Sequence, residues 1–230
     1  RFKVGDKVSH MGGWRDVAQL PADGVTALPD LDVPEQPYLG VLGMPGMTAW
    51  VGLDLADPVA GETLFVSAAS GAVGQIVGQI AKAEGLRVVG CAGSDEKCRW
   101  LESELGFDQA INYHSDNLSA ELAAAMPDGI DVFFENTGGP VQLLAYERMN
   151  TFGRIVVCGL IADYSSAQPA PGPSWLRMIK KRLTIQGFAM PDHWDKSAEL
   201  VKAVSTYLMK GQIQYKAHTL QGLESAIEGV

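Results

Sequence analysis

The sequence is poor in cysteine, and the three cysteines that it has do not form a recognisable site. Cys91, Cys98 and Cys158 are odd in number and include no C-x-x-C pair. Neither a disulfide framework nor a cysteine-rich zinc lobe is therefore indicated. We expect all three to be small, reduced residues of a hydrophobic core.

Basic residues and long apolar runs are also scarce. The chain has 18 Lys and Arg against 27 Asp and Glu, a net charge of −9, whereas a nucleic-acid partner needs a basic face. The longest strongly apolar runs, such as residues 154–162, are far shorter than the roughly 18 to 20 residues of a membrane span. No signal-peptide pattern is visible, so we expect a cytoplasmic protein with no nucleic-acid or membrane partner.

What remains is the composition of a soluble globular protein, with 47% hydrophobic and 20% charged residues in 230. Residues 1–58 are punctuated by Gly and Pro and predict short strands at 3–9 and 16–20, then a helix after Pro45. Further on, short apolar runs alternate with helical patterns, which is typical of a parallel sheet covered on both faces. The fold class predicted is therefore α/β, a Rossmann-type doubly wound parallel sheet.

The alternating region predicts these elements. Strands are expected at residues 64–68, 86–91, 109–112, 130–135, 153–159 and 183–188, and helices at 72–84, 95–105, 117–125, 140–150, 174–180 and 194–210. A proline-rich loop, residues 163–173, precedes the helix at 174–180, and residues 213–230 resemble a strand followed by the start of a helix.

The stretch Ala69-Ser-Gly-Ala-Val-Gly74 lies between the first of these strands and its helix, where a dinucleotide-binding turn belongs. Gly71 would let the backbone approach a pyrophosphate, and Gly74 would let the helix pack close to the strand. The helix N-terminus offers free N–H groups to the phosphates. Ala69 replaces the usual first glycine, which is tolerable if its φ stays negative. Gly78 suits close packing of the same helix.

The identity of the dinucleotide depends on the end of the second strand, where NAD-binding proteins place an acidic residue on the ribose 2′-OH. Residues 87–93 end without an acid. Asp95 and Glu96 are better explained as acids in the first turn of the next helix, capped by Ser94. Lys97 is placed to reach a 2′-phosphate, although a solvated helix residue is the alternative. The pattern favours NADP over NAD.

Several separated segments together resemble the medium-chain dehydrogenase/reductase superfamily, and more narrowly its zinc-free branch of leukotriene B4 dehydrogenases, prostaglandin reductases and alkenal or curcumin reductases. The segments are VLGMPGMTAW, AGETLFVSAASGAVGQIVGQIAKAEGLRVVGCAGSDEK, LGFDQAINY, ENTGGP, FGRIVVCGLIADY and KGQIQYKAHTLQGLESAI. The resemblance implies NADPH-dependent reduction of the double bond of α,β-unsaturated ketones and aldehydes, and a homodimer. A quinone oxidoreductase of the same superfamily and a catalytically silent NADPH-binding protein are the alternatives.

The resemblance also implies site residues. The 2′-phosphate contacts fall on Lys97, with Ser94 in the same S-D-E-K motif, and on Tyr113. The remaining cofactor contacts fall on Gly71, Ala72, Val73, Gly74, Asn136, Cys158, Gly159, Leu160, Phe188, Ala189 and Met190. Tyr164 matches the family's tyrosine that hydrogen-bonds the substrate carbonyl, where a phenol can stabilise an enolate. Met47, Thr48 and Trp50 are expected near the nicotinamide and substrate, with packing between two domains as the alternative for Met47 and Trp50. Residues 169–173 resemble a loop over the active site or a stiff linker.

No metal is expected, since GMPGMT holds no cysteine where zinc-dependent relatives have one. The histidines share no ligand spacing and are interpreted as structural or surface residues: His10, His114, His193 and His218. The domains predicted are a partial GroES-like catalytic domain with a linking helix (1–58), an NADP-binding Rossmann domain (59–190) and its end, returning towards the catalytic domain (191–230). By the resemblance, we expect further strands before the chain and a nicotinamide-contacting asparagine after it.

Overall fold

The computed structural model describes residues 2–29, 31, 33–164, 171–217 and 219–227, which divide into two units. One unit contains residues 1–38 and 216–230, and the other runs from Leu39 to Tyr215. The limits predicted for the functional domains, at 58 and 190, stay predictions.

The smaller unit is poor in regular structure. Strands β1 (Val8–Ser9) and β2 (Thr26–Ala27) pair antiparallel, and 3₁₀ helices cover Ala22–Gly24 and Leu223–Ile227. The predicted strand at 3–9 is thus reduced to two residues, and the strand predicted at 16–20 is wrong. Its apolar residues do not cover a core, because Val17 is 86% exposed.

A 3₁₀ helix, Gln36–Leu39, ends at the first residue of the larger unit. The first α-helix of that unit is α1 (Met44–Ala56), whose second residue is Pro45 as expected. The alternating region follows as β3 (Thr63–Val66), α2 (Gly74–Ala83), β4 (Arg87–Ala92), α3 (Asp95–Ser103), β5 (Gln109–Asn112), α4 (Leu118–Ala125), β6 (Ile130–Glu135), α5 (Gly139–Glu147), β7 (Met149–Val157), α6 (Trp175–Lys181), β8 (Thr184–Gly187), a 3₁₀ helix (Met190–Lys196) and α7 (Ser197–Met209).

The six strands form one parallel sheet in the order β5-β4-β3-β6-β7-β8. The chain runs outwards from β3 to β5 and then returns to the other side of β3 with β6. This is the doubly wound order, and its switch point lies between β3 and β6. The predicted Rossmann-type fold is confirmed.

The sheet forms because its central strands can be buried on both faces. Leu64, Phe65, Val132 and Phe133 have no exposed surface. One face packs against a cluster of side chains from α4, from α5 and from the residue that follows α4, including Leu122, Met126, Val141, Ala145 and Tyr146. Burial on both faces explains why these strands are apolar runs without alternation in the sequence.

The boundaries of two predicted helices need correction. The helix predicted at 140–150 ends at Glu147, because Met149 already pairs with Ile130 in the sheet. The helix predicted at 194–210 begins only at Ser197, after a 3₁₀ segment.

The strand expected near 213 is absent from the described residues. The backbone N–H and C=O of Gln214 pair instead with the side-chain amide of Gln79, at 2.7 and 2.8 Å. The helix expected next is only the 3₁₀ segment Leu223–Ile227; His218 and residues 228–230 lie outside the described part of the chain.

Candidate active site

The predicted cofactor residues lie along one edge of the sheet. All six strands are parallel, so their carboxyl ends share that edge, and ligands of doubly wound sheets bind there. The glycine turn follows β3, Ser94 and Lys97 follow β4, and Tyr113 follows β5. Asn136, the segment 158–164 and Phe188 follow β6, β7 and β8.

The glycine turn packs its backbone tightly around Gly74. A Cβ at Gly74 would lie 2.5 Å from the Ala68 carbonyl oxygen and 2.8 Å from the Ala69 Cα, so a side chain is excluded there. A Cβ at Gly71 would lie 3.1 Å from the same oxygen. Within the described part of the chain, the N–H groups of Ala72 and Val73 make no hydrogen bond. Free N–H groups at the start of a ten-residue helix suit a pyrophosphate.

Ala69 keeps a negative φ, as the sequence argument required, and the left-handed residue of the turn is Ala68, with φ of 47°. The Ala69 N–H donates to the Cys91 carbonyl at 2.8 Å, and the Ala69 side chain is fully buried. A Cβ at Gly90 would lie 2.6 Å from the Ala69 Cβ. Alanine at position 69 therefore packs directly against the neighbouring strand and does not carry the strain of the turn.

Gly78 brings α2 close to its neighbours, as predicted. A Cβ there would lie 2.0 Å from Cζ of Phe107, a residue that is itself 3% exposed. The glycine thus holds the helix near the sheet, and this close packing fixes where its N-terminal N–H groups point.

The end of β4 has the features that favour a 2′-phosphate. Ser94 caps α3, with its Oγ accepting from the Lys97 N–H at 3.3 Å. Asp95 lies in the first turn of the helix, and its Oδ1 accepts from the Asn112 side chain at 2.7 Å. No acid ends the strand itself. The Tyr113 hydroxyl lies beside Gly93, where an added Cβ would approach it to 2.7 Å.

The carboxyl ends of β3 and β6 are joined by a buried polar network. Glu135 and Ser67 have no exposed surface, and the Ser67 hydroxyl donates to Glu135 Oε1 at 2.7 Å. The same oxygen accepts from the N–H groups of Thr137 at 2.6 Å and Gly138 at 3.2 Å, and from the Thr137 hydroxyl at 3.1 Å. Asn136 donates its N–H to Ser67 Oγ at 2.7 Å and its amide to the Ser67 carbonyl at 2.8 Å.

Tyr164 lies after β7 and turns back onto the end of that strand. The Leu160 N–H donates to the Tyr164 hydroxyl oxygen at 3.3 Å, and a Cβ at Gly159 would lie 3.0 Å from that oxygen. The tyrosine is 71% exposed. Because its oxygen already accepts a hydrogen bond from the backbone, the phenolic proton is available to donate to another group.

The remaining predicted cofactor residues have mixed surroundings. Phe188 packs edge-on against Phe134, with ring centroids 6.4 Å apart, Ala189 is exposed, and Met190 is 8% exposed. Burial, and to a smaller extent the nearby Glu135, raises the pKa of the Cys158 thiol to about 11. Cys158 is therefore a thiol, not a nucleophilic thiolate, near neutral pH.

The residues predicted beside the substrate all belong to α1. Met47 is 3% exposed, and the buried Thr48 hydroxyl donates to the Met44 carbonyl at 2.8 Å. Trp50 is half-buried, with the Lys196 ammonium 5.9 Å from its ring centroid. Their role in substrate binding stays a prediction. Pro169 and Ala170, in the predicted loop over the site, lie outside the described residues.

Metal-ligating side chains do not cluster in the part of the chain that the structure describes. No group of three or more His, Cys, Asp or Glu residues there could hold a metal ion. Helices long and apolar enough to cross a membrane are likewise absent from the described residues.

Sequence reasoning missed Ser67, Glu135 and Gly93. A glutamate directly after the apolar run Val132–Phe134 was a usable signal, because a carboxyl group is rarely buried without partners. Its partner is 68 residues away in the chain, and no local pattern indicates that pairing.

Comparison with known proteins gives consistent matches. A family model described as zinc-binding dehydrogenase matches residues 72–206. An NADP-dependent 2-alkenal reductase of Nicotiana tabacum is 43% identical over 98% of this chain and 67% of the relative. An NADPH-dependent curcumin reductase of Escherichia coli is 41% identical over 98% of this chain and 67% of its own length.

Among solved structures, CurA from Vibrio vulnificus in complex with NADPH is 38% identical, with a TM-score of 0.89 over 99% of this chain and 70% of that one. The chain thus spans about two thirds of the length of its relatives. A family match over more than half of the chain, and relatives above 40% identity, agree with the glycine turn and the sheet order. The chain belongs to the zinc-binding dehydrogenase family, in the branch of the medium-chain dehydrogenase/reductase superfamily that contains alkenal and curcumin reductases.

Proposed function

We propose that this protein reduces the C=C bond of α,β-unsaturated ketones or aldehydes, with hydride delivered to the β-carbon and Tyr164 stabilising the enolate. The general class follows from the family: the protein is an NADP-dependent oxidoreductase that acts on C=C bonds. The finer statement, which concerns the tyrosine and the enone class, is the proposal. The observation that carries it is the Tyr164 hydroxyl at the carboxyl end of β7.

Residues of the site suit two parts of NADP, the pyrophosphate and the 2′-phosphate. The turn at Gly71–Gly74 offers free N–H groups to the pyrophosphate. Lys97 lies in the first turn of α3, and the Tyr113 hydroxyl lies beside Gly93, where a 2′-phosphate would bind. The acid that binds the ribose 2′-OH in NAD-binding proteins is absent from the end of β4. The nearby Asp95 carboxylate accepts a hydrogen bond from the Asn112 side chain instead. When bound, NADPH supplies the hydride from nicotinamide C4.

Tyr164 meets the physical need of the reaction. Addition of a hydride to the β-carbon of an enone leaves negative charge on the carbonyl oxygen, and a positioned donor stabilises that charge. The Leu160 N–H that donates to the phenol oxygen holds the side chain in place and leaves the phenolic proton free. A proton on the α-carbon then completes the saturated product.

A substrate panel on the full-length protein tests this function. We expect NADPH oxidation with hexenal and curcumin to exceed that with benzoquinone in kcat/KM, and the product to be the saturated carbonyl compound. With NADPH deuterated at nicotinamide C4, the label is expected on the β-carbon. Clearly better turnover of benzoquinone would favour a quinone oxidoreductase, and tight NADPH binding without turnover of any of the three would favour a silent binding protein.

We also infer a cytoplasmic homodimer. The outer strand β8 of the six-stranded sheet and the exposed Trp175, Leu176 and Ile179 of α6 support a protein partner for this side of the sheet. Light scattering on the purified protein should give twice the monomer mass, and a monomer at micromolar concentration would contradict the inference.

A further inference from the structure

The segment that carries Tyr164 is anchored to the turn after β6. The N–H groups of Cys158 and Gly159 donate to the Glu135 carbonyl, at 2.9 and 3.2 Å. The Ile161 N–H donates to the Asn136 carbonyl at 3.3 Å, and the Ala162 N–H donates to the Thr137 carbonyl at 2.9 Å. The position of the catalytic tyrosine therefore depends on the conformation of residues 135–137.

That conformation depends in turn on one carboxyl oxygen and one hydroxyl. Glu135 Oε1 gathers two backbone N–H groups and two hydroxyls, whereas Glu135 Oε2 is buried and has no hydrogen-bond partner within the described residues. The Ser67 hydroxyl both donates to Glu135 and accepts from the Asn136 N–H. The backbone N–H groups of residues 136–138 are thus bonded by side chains and not by another strand.

We propose that Ser67 and Glu135 are positioning residues for the reduction: they fix the turn at 135–138 and, through its carbonyls, the segment 158–162 that places the Tyr164 hydroxyl. The pair lies beneath the switch point of the sheet, where the site is expected. Small displacements of a catalytic group are costly, because a misplacement of about 1 Å can lower a rate about 100-fold. This inference rests on the role proposed for Tyr164.

Hydrogen exchange tests the positioning without any turnover. Replacement of Ser67 by alanine removes the acceptor of the Asn136 N–H and one donor to Glu135. We expect about tenfold faster exchange at the amides of residues 158–162 in the Ser67→Ala protein, with exchange in α2 unchanged. The matched control is Ser205→Ala, because Ser205 is also buried but bonds only within α7. Unchanged exchange at 158–162 would overturn the proposal.

Kinetics separate positioning from a general loss of structure. We expect Ser67→Ala to lower kcat about tenfold with Tyr164 present and less than about twofold in the Tyr164→Phe background, since a positioning effect needs the group that it positions. Equal losses in both backgrounds would overturn the inference. If Tyr164→Phe alone left kcat unchanged, the function proposed for Tyr164 would be refuted instead, and the exchange data would still decide whether the segment is held by Ser67.

A conservative variant covers the case in which Ser67→Ala does not fold. In Glu135→Gln the amide oxygen can replace Oε1 and accept the same donors, whereas Glu135→Ala removes the acceptor altogether. We expect Glu135→Gln to retain most of the exchange protection of residues 158–162, and Glu135→Ala to lose it. Equal exchange protection of residues 158–162 in both variants would show that Glu135 Oε1 does not hold this segment.

Discussion

Replacement of Gly93 by alanine should weaken NADPH binding selectively, because the new methyl group would displace the Tyr113 hydroxyl. An ideal Cβ at Gly93 lies 2.7 Å from that oxygen, whereas ordinary contact begins at 3.4 Å. The hydroxyl must therefore move by about 0.7 Å to avoid the methyl group. The φ of Gly93 is not positive, so the backbone itself accepts alanine without strain.

The size of the effect follows from the bond that is lost. A hydrogen bond to a charged group contributes about 1.5 kcal/mol at the lower end of its range, which suits a half-exposed tyrosine. We therefore expect the KM for NADPH to rise about tenfold and the KM for NADH, which has no 2′-phosphate, to change less than about twofold. Stability should change by less than about 1 kcal/mol, because only the end of a side chain moves.

Steady-state kinetics with both cofactors is the assay, and Tyr113→Phe is the companion variant. It should reproduce the loss for NADPH, and the double variant should be no worse than either single one. Gly24→Ala is the control, since a Cβ there would lie 3.6 Å from Pro21, an ordinary contact, and Gly24 is not among the predicted cofactor residues. Equal rises in both KM values, or full NADPH affinity in Tyr113→Phe, would refute the reasoning.

Three further predictions follow. Lys97→Ala should raise the KM for NADPH far more than that for NADH, because NADH has no 2′-phosphate for the ammonium to contact. Gly78→Ala should destabilise the protein by about 1 to 2 kcal/mol in denaturant unfolding, since overlap with Phe107 outweighs the roughly 1 kcal/mol gained in helix propensity. Burial raises the pKa of the Glu62 carboxyl, but hydrogen bonds from Arg154 and the Val59 N–H outweigh burial and hold this pKa below its ordinary value. The stability difference between wild type and Glu62→Gln should therefore be present near pH 7 and disappear as the pH falls through the lowered pKa of Glu62.

Each of these has a clear contrary outcome. Equal effects of Lys97→Ala on both cofactors would remove that lysine from the 2′-phosphate site. A Gly78→Ala protein as stable as the wild type would mean that α2 and Phe107 can separate without cost. A difference between wild type and Glu62→Gln that persisted at low pH would show that the ion pair with Arg154 is not its source.

Much of the fold was predictable because its signals are local. Strands buried on both faces are continuous apolar runs, and Gly71 and Gly74 mark the turn, where the backbone leaves no room for a side chain at Gly74. The S-D-E-K segment likewise indicated a capped helix, and Ser94 is indeed the N-cap of α3. These features need no knowledge of distant contacts.

The rest depends on contacts between residues far apart in the chain. The Ser67–Glu135 hydrogen bond joins two strands 68 residues apart, and the Gln79 amide pairs with the backbone of Gln214 across 135 residues. Residues 16–20 resembled a short strand, yet Val17 is 86% exposed, and the register of a strand is well specified only where one face can be buried. In each case tertiary context decided the outcome, and local sequence does not contain it.

The central claim is that the Tyr164 hydroxyl stabilises the enolate, and the most direct measurement is the kcat of Tyr164→Phe with an enone, alongside its Kd for NADPH. Loss of one preorganised donor to a developing oxyanion lowers turnover by about 100-fold or more. We predict a fall of that order in kcat with the Kd for NADPH nearly unchanged, because the ring remains and only the hydroxyl is lost. An unaltered kcat would contradict the account and remove Tyr164 from the mechanism.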